Sequence, residues 1–544
     1  MPGLISSTKE EGHDSSQPHH HSIDPHTSPD LARRRPRRWL SIVRGDSAKL
    51  SRRGFLGVSM GAVAAVGLAS CAPSANWVQP SGPEVEQTER RRKDTGRASA
   101  IALTAAPTVW DLAGTPASTW AFDSVPAPVV RVRAGDTVVA SVRNRLDTDL
   151  SVHWHGLALR NDMDGVAPLT RQPIGAGEDF AYRFRAPDPG TSWFHSHVGS
   201  QLDRGLYGAL IIEDPSEPGE YDDEWVIVLD DWLDGVTATP DDVLADLSSG
   251  MGGGQAMGDM FMRMGNTLMG ATSDLLAGDA GDVFYPVYLV NGKPPADPAQ
   301  FVGRPGSRIR LRIINAGADT AFRFAVGGHS LTITHTDGFP VAPTVVDSIL
   351  LGMGERYDAI ITLGDGVFPM VALAEGKRDR AFALIRTGGG EAPAAPETLP
   401  ELRGGRVGVA DALTAASGVS LAERAPDRTI ALTLTGGMEK YDWGINGKRF
   451  DMDRPLTAAH EVRAGERVRL EVVNDTDMWH PFHLHGHTYQ HGRGGPRKDT
   501  SIVLPRQTLT VDFDADNPGL WLAHCHNLYH AESGMATVIG YRAS

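Results

Sequence analysis

The feature that most constrains the fold of this chain is a segment that occurs three times. Each copy begins with an Arg-x-Gly turn, continues as a run in which apolar, often β-branched, residues alternate with others, and ends in Asn. The copies lie at residues 133–144, 304–315 and 463–474. A tight glycine turn followed by alternating apolar residues predicts a turn that leads into a β-strand. Because the copies lie 171 and 159 residues apart, the sequence predicts three domains, each the size of a β-sandwich.

The composition agrees with a globular β-rich protein and excludes several other classes. The 544 residues are 41% hydrophobic and 22% charged, with 61 Gly and 36 Pro, which differs from collagenous and multi-span membrane proteins. The net charge of −15 argues against nucleic acid as a partner. Two cysteines in a chain of this length exclude a disulfide scaffold.

Composition shifts along the chain predict the domain boundaries. In chain order we predict a disordered extension with an export signal at 1–70, a flexible tether at 71–98, β domains at 99–216 and 217–390, a Gly/Ala/Pro-rich linker at 391–427 and a third β domain at 428–544.

The N-terminal region resembles that of an exported lipoprotein. Residues 51–56 contain Arg52-Arg53 and resemble a twin-arginine signal, and the apolar stretch at 57–70 is too short to span a membrane. It ends in Leu-Ala-Ser-Cys71, which resembles a lipoprotein box, where the cysteine is lipid-modified. We therefore expect twin-arginine export and a lipid anchor at Cys71 on the outer side of the cytoplasmic membrane, in the cell envelope. Ordinary cleavage nearby, with an incidental Cys71, is the alternative.

Paired histidines occur in the same register in the first and third domains. Nine residues past the repeated Asn stands His153 in the first copy and His483 in the third, but Phe324 in the second. Each begins a His-x-His pair, and another such pair follows 42 residues after His153 and 41 after His483. The eight histidines are His153, His155, His195, His197, His483, His485, His524 and His526. Residues i and i+2 of a strand project to one side, so these imidazoles predict several metal ions between domains one and three.

A second group of ligand types lies in the third domain. Its members are His480, Cys525, His530 and Met535. Two histidines, a thiolate and a thioether are the ligand set of a blue copper electron-transfer site. Cys525 stands between the two histidines of the last pair, so on a strand its side chain points away from both.

These motifs resemble the four copper-binding motifs of the multicopper oxidases. They are His-Trp-His-Gly at 153–156, Trp-Phe-His-Ser-His at 193–197, His-Pro-Phe-His-Leu-His-Gly at 480–486 and His-Cys-His-x3-His-x4-Met at 524–535. The chain is most similar to the laccase-like, lipoprotein-type copper-resistance oxidases of bacteria. The resemblance implies an all-β fold of three consecutive cupredoxin-like Greek-key β-sandwich domains.

The resemblance also implies four copper ions and their ligands. It assigns His480, Cys525, His530 and Met535 to one type 1 copper, His153 and His483 to one type 2 copper, and His155, His195, His197, His485, His524 and His526 to two type 3 copper ions. Asp164 stands where the family has a carboxylate near the type 2 copper and is a candidate proton relay, with a surface-turn Asp as the alternative. A second family acid is replaced by Ala531, so Glu532 or water is expected to act there.

A methionine-rich segment predicts Cu(I) as the substrate. Six of the 15 methionines fall in an insert of the second domain, namely Met251, Met257, Met260, Met262, Met264 and Met269. Thioethers are soft ligands that suit Cu(I), whereas an apolar cover over the type 1 face is the alternative. Asp477 and Met478 are further substrate candidates, because Cu(I)-oxidising relatives carry similar residues near there.

The sequence therefore predicts a monomeric multicopper oxidase that couples oxidation of Cu(I), with side activity on Fe(II) and phenols, to reduction of O2 to water, with a role in copper tolerance. A copper-sequestering binding protein and a laccase acting mainly on phenols are the alternatives.

Overall fold

Eight strands of the first domain form two four-stranded sheets in the computed structural model, which describes residues 76–543 apart from 216, 218–219 and 250–260. The strands are β1 Ala98–Leu112, β2 Thr115–Phe122, β3 Ala127–Arg133, β4 Thr137–Asn144, β5 Val152–His153, β6 Asp179–Arg185, β7 Gly190–Ser196 and β8 Tyr207–Glu213. The strand orders are β2-β1-β4-β6 and β3-β8-β7-β5.

The second domain has two six-stranded sheets and two small hairpins. Its strands are β9 Asp223–Trp232, β10 Met262–Met264, β11 Thr267–Met269, β12 Thr272–Ser273, β13 Gly278–Asp279, β14 Val287–Val290, β15 Ala299–Val302, β16 Arg308–Asn315, β17 Phe322–Val326, β18 Leu331–Thr336, β19 Phe339–Val346, β20 Ser348–Leu351, β21 Arg356–Thr362, β22 Val367–Ala374, β23 Asp379–Arg386 and β24 Val407–Gly408. The sheets run β14-β9-β16-β21-β18-β19 and β15-β23-β22-β17-β20-β24, and β10 pairs with β11 and β12 with β13.

The third domain again consists of two sheets. Its strands are β25 Arg428–Thr435, β26 Gly444–Ile445, β27 His460–Val462, β28 Arg467–Asn474, β29 His480–Leu484, β30 Tyr489–His491, β31 Arg497–Lys498, β32 Thr500–Val503, β33 Thr508–Asp514, β34 Leu520–Cys525 and β35 Ala536–Tyr541. The orders are β26-β25-β28-β33-β30-β31 and β27-β35-β34-β29-β32.

Helices are few and short within the described residues. They are α1 Pro83–Arg91, α2 Pro240–Ser248, α3 Pro400–Arg403 and α4 Leu528–Glu532, with short 3-10 turns at 161–163, 199–204, 410–412 and 455–458. None of these described helices has the length and apolar character needed to cross a membrane. The predicted all-β fold of three sandwich domains is confirmed.

The repeated segment forms the same strand in each domain, as β4, β16 and β28. Each follows a glycine with positive φ, at Gly135, Gly306 and Gly465, where L-residues with a side chain are disfavoured. Each strand pairs in parallel with the first strand of its domain, β1, β9 or β25. The local turn-and-strand pattern therefore fixes the centre of one sheet in every domain.

The Asn that ends each repeat fixes the chain that follows it. The Asn144 amide donates to the carbonyls of Thr148 and Ile174 at 2.8 and 2.9 Å, and the Asn474 amide donates to those of Met478 and Val503 at 2.7 and 3.1 Å. Because these turns precede the first His-x-His pair in domains one and three, the repeated Asn sets the entry of both histidine-bearing strands.

The prediction of a flexible tether at 71–98 is wrong for residues 76–98, the part of this segment that the structure describes. The Val78 amide donates to the Tyr541 carbonyl at 2.8 Å, and α1 buries Val85 to 1% exposure. Burial of these two apolar side chains fixes the segment on the domains, because each removes apolar surface from water. Their partners lie elsewhere in the chain, so the local polar composition gave no sign of this packing.

The predicted linker at 391–427 also contains regular structure. Residues Leu399 and Leu402, at the start of and within α3, are 4% and 2% exposed, and β24 adds to a second-domain sheet by pairing with β20. Apolar side chains inside a Gly/Ala/Pro-rich stretch thus attach it to the second domain.

Candidate metal centres

Eight histidines from domains one and three meet in one buried cluster. They are the eight predicted from the His-x-His pairs: His153, His155, His195, His197, His483, His485, His524 and His526. The rings of His153 and His485 stack with centroids 3.8 Å apart, as do those of His155 and His483. Each of these two stacks joins one histidine of domain one to one of domain three, so the cluster lies at the interface of those domains.

Strand pairing explains how the four pairs converge. His153 on β5 lies opposite His195 on β7, and His483 on β29 lies opposite His524 on β34. Residues directly opposite on antiparallel strands project to the same face of the sheet. In the second domain the equivalent position is Phe324, which lies opposite Ala372 and is buried.

Most rings are oriented through one nitrogen and leave the other free to bind a metal. His153, His195 and His483 donate from Nδ1 to the carbonyls of Asp164, Ser196 and Asp499 at 2.8–2.9 Å. Their Nε2 atoms, Nδ1 of His155 and both ring nitrogens of His526 are buried without a hydrogen-bond partner. Buried polar atoms are normally paired, so these nitrogens mark a space shaped for cations.

Burial also determines the protonation state of the cluster. It lowers the pKa of His155, His195, His485, His524 and His526 well below the usual value, and neighbouring imidazoles lower the pKa values further. Burial lowers the pKa of His197 to about 3. Neutral imidazole is the form that binds metals, so the cluster is ready for metal at neutral pH.

Two buried carboxylates each contact one histidine from each half of the cluster. Asp164 lies 3.2 Å from His153 Nδ1 and 3.1 Å from His485 Nδ1. Asp499 lies 3.1 Å from His155 Nε2 and 3.4 Å from His483 Nδ1. The structure thus places Asp164 at the cluster, whereas the sequence analysis missed Asp499, which follows no recognisable motif.

A second metal centre lies next to the histidine cluster in domain three. The Sγ atom of Cys525 is 3.6 Å from His480 Nδ1 and 3.8 Å from His530 Nδ1, and these two nitrogens are 3.1 Å apart. Met535 is fully buried, and its backbone bonds to Cys525 and His530. Burial raises the pKa of the Cys525 thiol, so a bound cation is needed to favour the thiolate.

A carboxylate of the second domain contacts this centre. Asp282 Oδ2 lies 3.1 Å from His530 Nε2, and Asp282 is 1% exposed. The Trp443 ring lies 4.3 Å from that of His530 and 5.3 Å from that of His480. Neither residue was predicted, because only folding brings domain two and the 441–443 turn to His530.

The donors fit copper. A thiolate, a thioether and imidazoles form a soft, nitrogen- and sulfur-based set at one centre, and imidazoles alone dominate the other. Throughout the part of the chain that the structure describes, the groups of three or more His, Cys, Asp or Glu that could hold a metal all belong to these two centres.

The remaining predicted residues lie around these centres or away from them. Met478 is buried two residues before His480, whereas the Asp477 side chain is 90% exposed and pairs with Arg506 at 2.8 Å. Glu532 is exposed at the end of α4. Met262, Met264 and Met269 lie on β10 and β11. The predictions for residues 1–70, Cys71, Met251, Met257 and Met260 fall outside the described residues.

Comparison with known proteins identifies the family. Three family models described as multicopper oxidase match residues 104–217, 223–389 and 423–543. The chain is 47% identical over 513 residues to multicopper oxidase MmcO of Mycobacterium tuberculosis, with 91% of this chain and 97% of that protein covered. This chain belongs to the multicopper oxidase family.

Other relatives agree with this assignment. The oxidase is 30% identical to a copper resistance protein A homolog of Pseudomonas syringae pv. tomato, over 76% of this chain and 87% of that protein. Its fold matches the laccase from Botrytis aclada with a TM-score of 0.68, at 23% identity and covering 85% of this chain and 90% of that one. Fet3p, a multicopper oxidase that functions in iron import, matches with a TM-score of 0.67 at 20% identity, covering 82% and 90%.

Membership makes this chain a copper-dependent oxidoreductase that uses O2 and takes electrons from a metal ion or a phenol. Bound copper supplies one-electron redox chemistry, and the protein supplies ligand geometry and the groups around the ligands.

Proposed function

We propose that this oxidase oxidises Cu(I), with side activity on Fe(II) and phenols, reduces O2 to water and serves copper tolerance. The similarity to proteins named for copper resistance supports the physiological role. The observation that carries the choice of Cu(I) is a face of three methionines on a hairpin whose backbone is hydrogen-bonded to Asp282, the residue whose carboxylate contacts His530.

The methionine face lies on the hairpin of β10 and β11. Met262 stands directly opposite Met269, and Met264 is two residues further along the strand. Alternation along a strand and pairing across the hairpin put all three side chains on the same face. Met264 is 55% exposed, and Met262 and Met269 are half-buried beside it, so the face opens to solvent at Met264. Soft sulfur ligands on an accessible surface suit capture of Cu(I).

The hairpin is connected to a type 1 ligand through few contacts. The Leu268 amide donates to the Asp282 carbonyl at 2.8 Å, and the Phe284 amide donates to the Asn266 carbonyl at 2.9 Å. The side chain of Asp282 in turn contacts His530. Electrons from an ion held on the methionine face would therefore enter the protein beside a ligand of the type 1 centre.

We further propose one type 1, one type 2 and two type 3 copper ions, with the ligands that the family resemblance implies. Cys525 supports this division because its side chain belongs to the centre with His480 and His530, while its neighbours His524 and His526 belong to the histidine cluster. The covalent chain from Cys525 to these histidines is a short path for electrons between the centres.

Asp164 is proposed as a proton donor for O2 reduction. It is fully buried and contacts His153 and His485, so it can deliver a proton within the cluster. Glu532 is exposed, and we assign it the lesser role of exchanging protons with solvent at the surface of α4.

The oxidase is also proposed to be a monomer exported by the twin-arginine route and anchored in the cell envelope through a lipid on Cys71. The Arg52-Arg53 pair and the Leu-Ala-Ser-Cys71 sequence support this.

Oxygen uptake tests the proposed substrate. The copper-loaded full chain would be supplied in turn with Cu(I), Fe(II) and a phenol, and kcat/KM would be compared. The highest value for Cu(I) is expected. A higher value for the phenol would make the protein a laccase, and Cu(I) binding without oxygen uptake would make it a copper-sequestering protein.

A further inference from the structure

The second domain supplies no histidine to the copper cluster, yet its turn at 352–356 reaches the cluster. A Cβ atom at Gly354 would lie 3.0 Å from His526 Cδ2 and 3.1 Å from His155 Cε1. The glycine thus packs against one ligand from domain three and one from domain one. Its φ of +86° also favours glycine at this position.

Arg356, at the start of β21, makes contacts with all three domains. Its Nε donates to the Thr191 carbonyl of domain one at 3.2 Å, and its Nη1 and Nη2 donate to Asp499 of domain three at 2.7 and 2.6 Å. Its own amide donates to Asp337 of domain two at 2.9 Å. Arg356, Asp337 and Asp499 have no exposed side-chain surface.

Asp499 carries this contact into the copper cluster. It contacts His155 of domain one and His483 of domain three, as described above. The Asp337 carboxylate also accepts hydrogen bonds from the amides of Asp499 and Thr500, both at 3.1 Å. The carboxylate that aligns two ligands is therefore held from the second domain at both its side chain and its backbone.

We propose that Arg356 is a positioning residue for the three-copper cluster, which fixes the ligands of domains one and three by clamping Asp499 from the second domain. This rests on the proposed type 2 role of His153 and His483. It gives the histidine-free domain a direct part in assembling the cluster, through the guanidinium rather than through a ligand.

The residue that follows His155 supports the inference independently. A Cβ atom at Gly156 would lie 2.3 Å from Arg356 Nη2 and 3.1 Å from Asp499 Oδ2. Any larger residue there would displace the guanidinium or the carboxylate. The glycine in the His-Trp-His-Gly motif therefore makes room for the clamp.

Arginine is suited to this position because its guanidinium is a planar fork. Two parallel N–H groups meet the two oxygens of Asp499, while Nε remains free for the Thr191 carbonyl. A lysine ammonium keeps the charge but lacks the fork, so it cannot hold the carboxylate plane and the domain-one backbone together.

The test compares Arg356→Lys with Arg310→Lys in the full chain. Arg310 is a matched control because it is a buried arginine on neighbouring β16, where it pairs with Asp358 and contacts no copper ligand. The measurements are copper per chain, the blue absorption of the type 1 centre, the type 2 EPR signal and the thermal unfolding midpoint of the metal-free protein.

We expect Arg356→Lys to weaken retention of the type 2 copper about tenfold to a hundredfold, as is typical for residues that orient metal ligands. The type 1 absorption should remain, and Arg310→Lys should keep the type 2 signal. Full copper and an unchanged type 2 signal in Arg356→Lys would overturn the proposal. Absence of a type 2 signal from the wild-type chain would instead refute the proposed copper assignment.

Amide hydrogen exchange on the wild-type chain tests the clamp even if the variants do not fold. Removal of copper should leave the amides of Arg356, Asp499 and Thr500 protected, because the clamp needs no metal to form. Loss of their protection on copper removal would show that copper binding forms the clamp. This would overturn the proposal that the clamp positions the ligands for copper.

Discussion

Individual carboxylates tie the two halves of the copper cluster together. Asp164 comes from the chain after the first histidine pair of domain one, and Asp499 comes from the chain before β32 of domain three. Each contacts one histidine of its own domain and one of the other domain. Burial works to raise the pKa of Asp499, but Arg356 and the histidine hydrogen bonds outweigh it and hold the pKa well below its usual range.

Asp164→Asn should lower the turnover of O2 reduction while copper content stays the same. The amide keeps the shape of the side chain but cannot donate the proton of a carboxylic acid, and loss of such a group costs about 10²–10⁴-fold in rate. Oxygen uptake and copper content would be measured together. Asp162→Asn, in the same turn but paired with Arg160, is the control. Normal turnover in Asp164→Asn would exclude the relay role.

Cys525→Ser should abolish the blue absorption and substrate oxidation while leaving the histidine cluster filled. Cys525 is the sulfur donor that lies with His480 and His530 in the proposed type 1 centre, whereas the cluster is built from histidines. Visible absorption, EPR and copper content would report on the two centres separately. Persistence of the blue absorption would refute the type 1 assignment.

Among the elements, the hairpin of β10 and β11 distinguishes the substrate hypotheses. Its other face carries Leu268, which is buried beside Trp479 and other apolar residues, while the methionine face is accessible. The hairpin thus combines the two interpretations that the sequence left open. One face packs as an apolar cover, and the other presents thioethers.

Replacing Met262, Met264 and Met269 together by Leu should raise the KM for Cu(I) about tenfold, which corresponds to a loss of ~1.4 kcal/mol of binding free energy. Phenol oxidation should change little, because phenols need no sulfur ligand. Met452→Leu, at an exposed methionine of domain three, is the control.

The triple Ser variant separates ligation from packing. If sulfur ligation matters, the Ser and Leu variants should lose Cu(I) oxidation to the same extent. Greater loss in the Ser variant would indicate packing, since Leu keeps the apolar volume. Equal loss toward Cu(I) and phenol in both variants would argue against Cu(I) capture.

In the whole molecule, a buried ionic network joins domains one and two. Asp358 contacts Arg310 at 2.6 Å and Arg312 at 3.3 Å, and it accepts a hydrogen bond from Thr191 of domain one at 2.7 Å. Burial opposes ionisation of Asp358, but the two arginines prevail and lower its pKa from 3.8 to about 2. The carboxylate is therefore ionised at all pH values at which the protein is expected to work.

Asp358→Asn should destabilise the protein by about 1–3 kcal/mol at neutral pH, because it removes the anion that two buried arginines share. Arg310 then keeps Glu217 as a carboxylate partner, and Arg312 keeps Glu224. Since the folded pKa lies below the unfolded one, the wild-type Asp358 contributes stability above about pH 4 that is lost as the pH falls toward 2. Denaturant unfolding at several pH values measures both effects. The role of this network would be contradicted if the variant were as stable as the wild type and lost the same free energy of unfolding between about pH 4 and pH 2.

Cys71→Ala should move the protein from the membrane to the soluble fraction without loss of specific activity. A lipid on Cys71 would contribute membrane binding, and the cysteine precedes the first ligand, His153, by 82 residues. Fractionation of cells and oxygen uptake would be compared for both proteins. Continued membrane fractionation of the variant would count against the lipoprotein interpretation.

The sequence by itself predicted the domain repeat and the histidines and cysteine that meet in the two candidate centres. Both depend on short-range rules, because a glycine turn and strand alternation act within a few residues. The duplicated register of His153 and His483 then placed the histidine pairs on equivalent strands without knowledge of tertiary contacts. The same local rules put Cys525 and its two flanking histidines on opposite sides of β34.

Only the tertiary structure decided what surrounds the ligands. Asp499, Asp282 and Arg356 reach the centres through packing between domains, and no periodic pattern marks them in the sequence. The segments predicted as tether and linker fold for the same reason, since Val78 and Leu402 are buried by parts of the chain distant in sequence. Contacts of this kind depend on the three-dimensional arrangement of all three domains, and that arrangement follows from the burial of apolar surface summed over the whole chain.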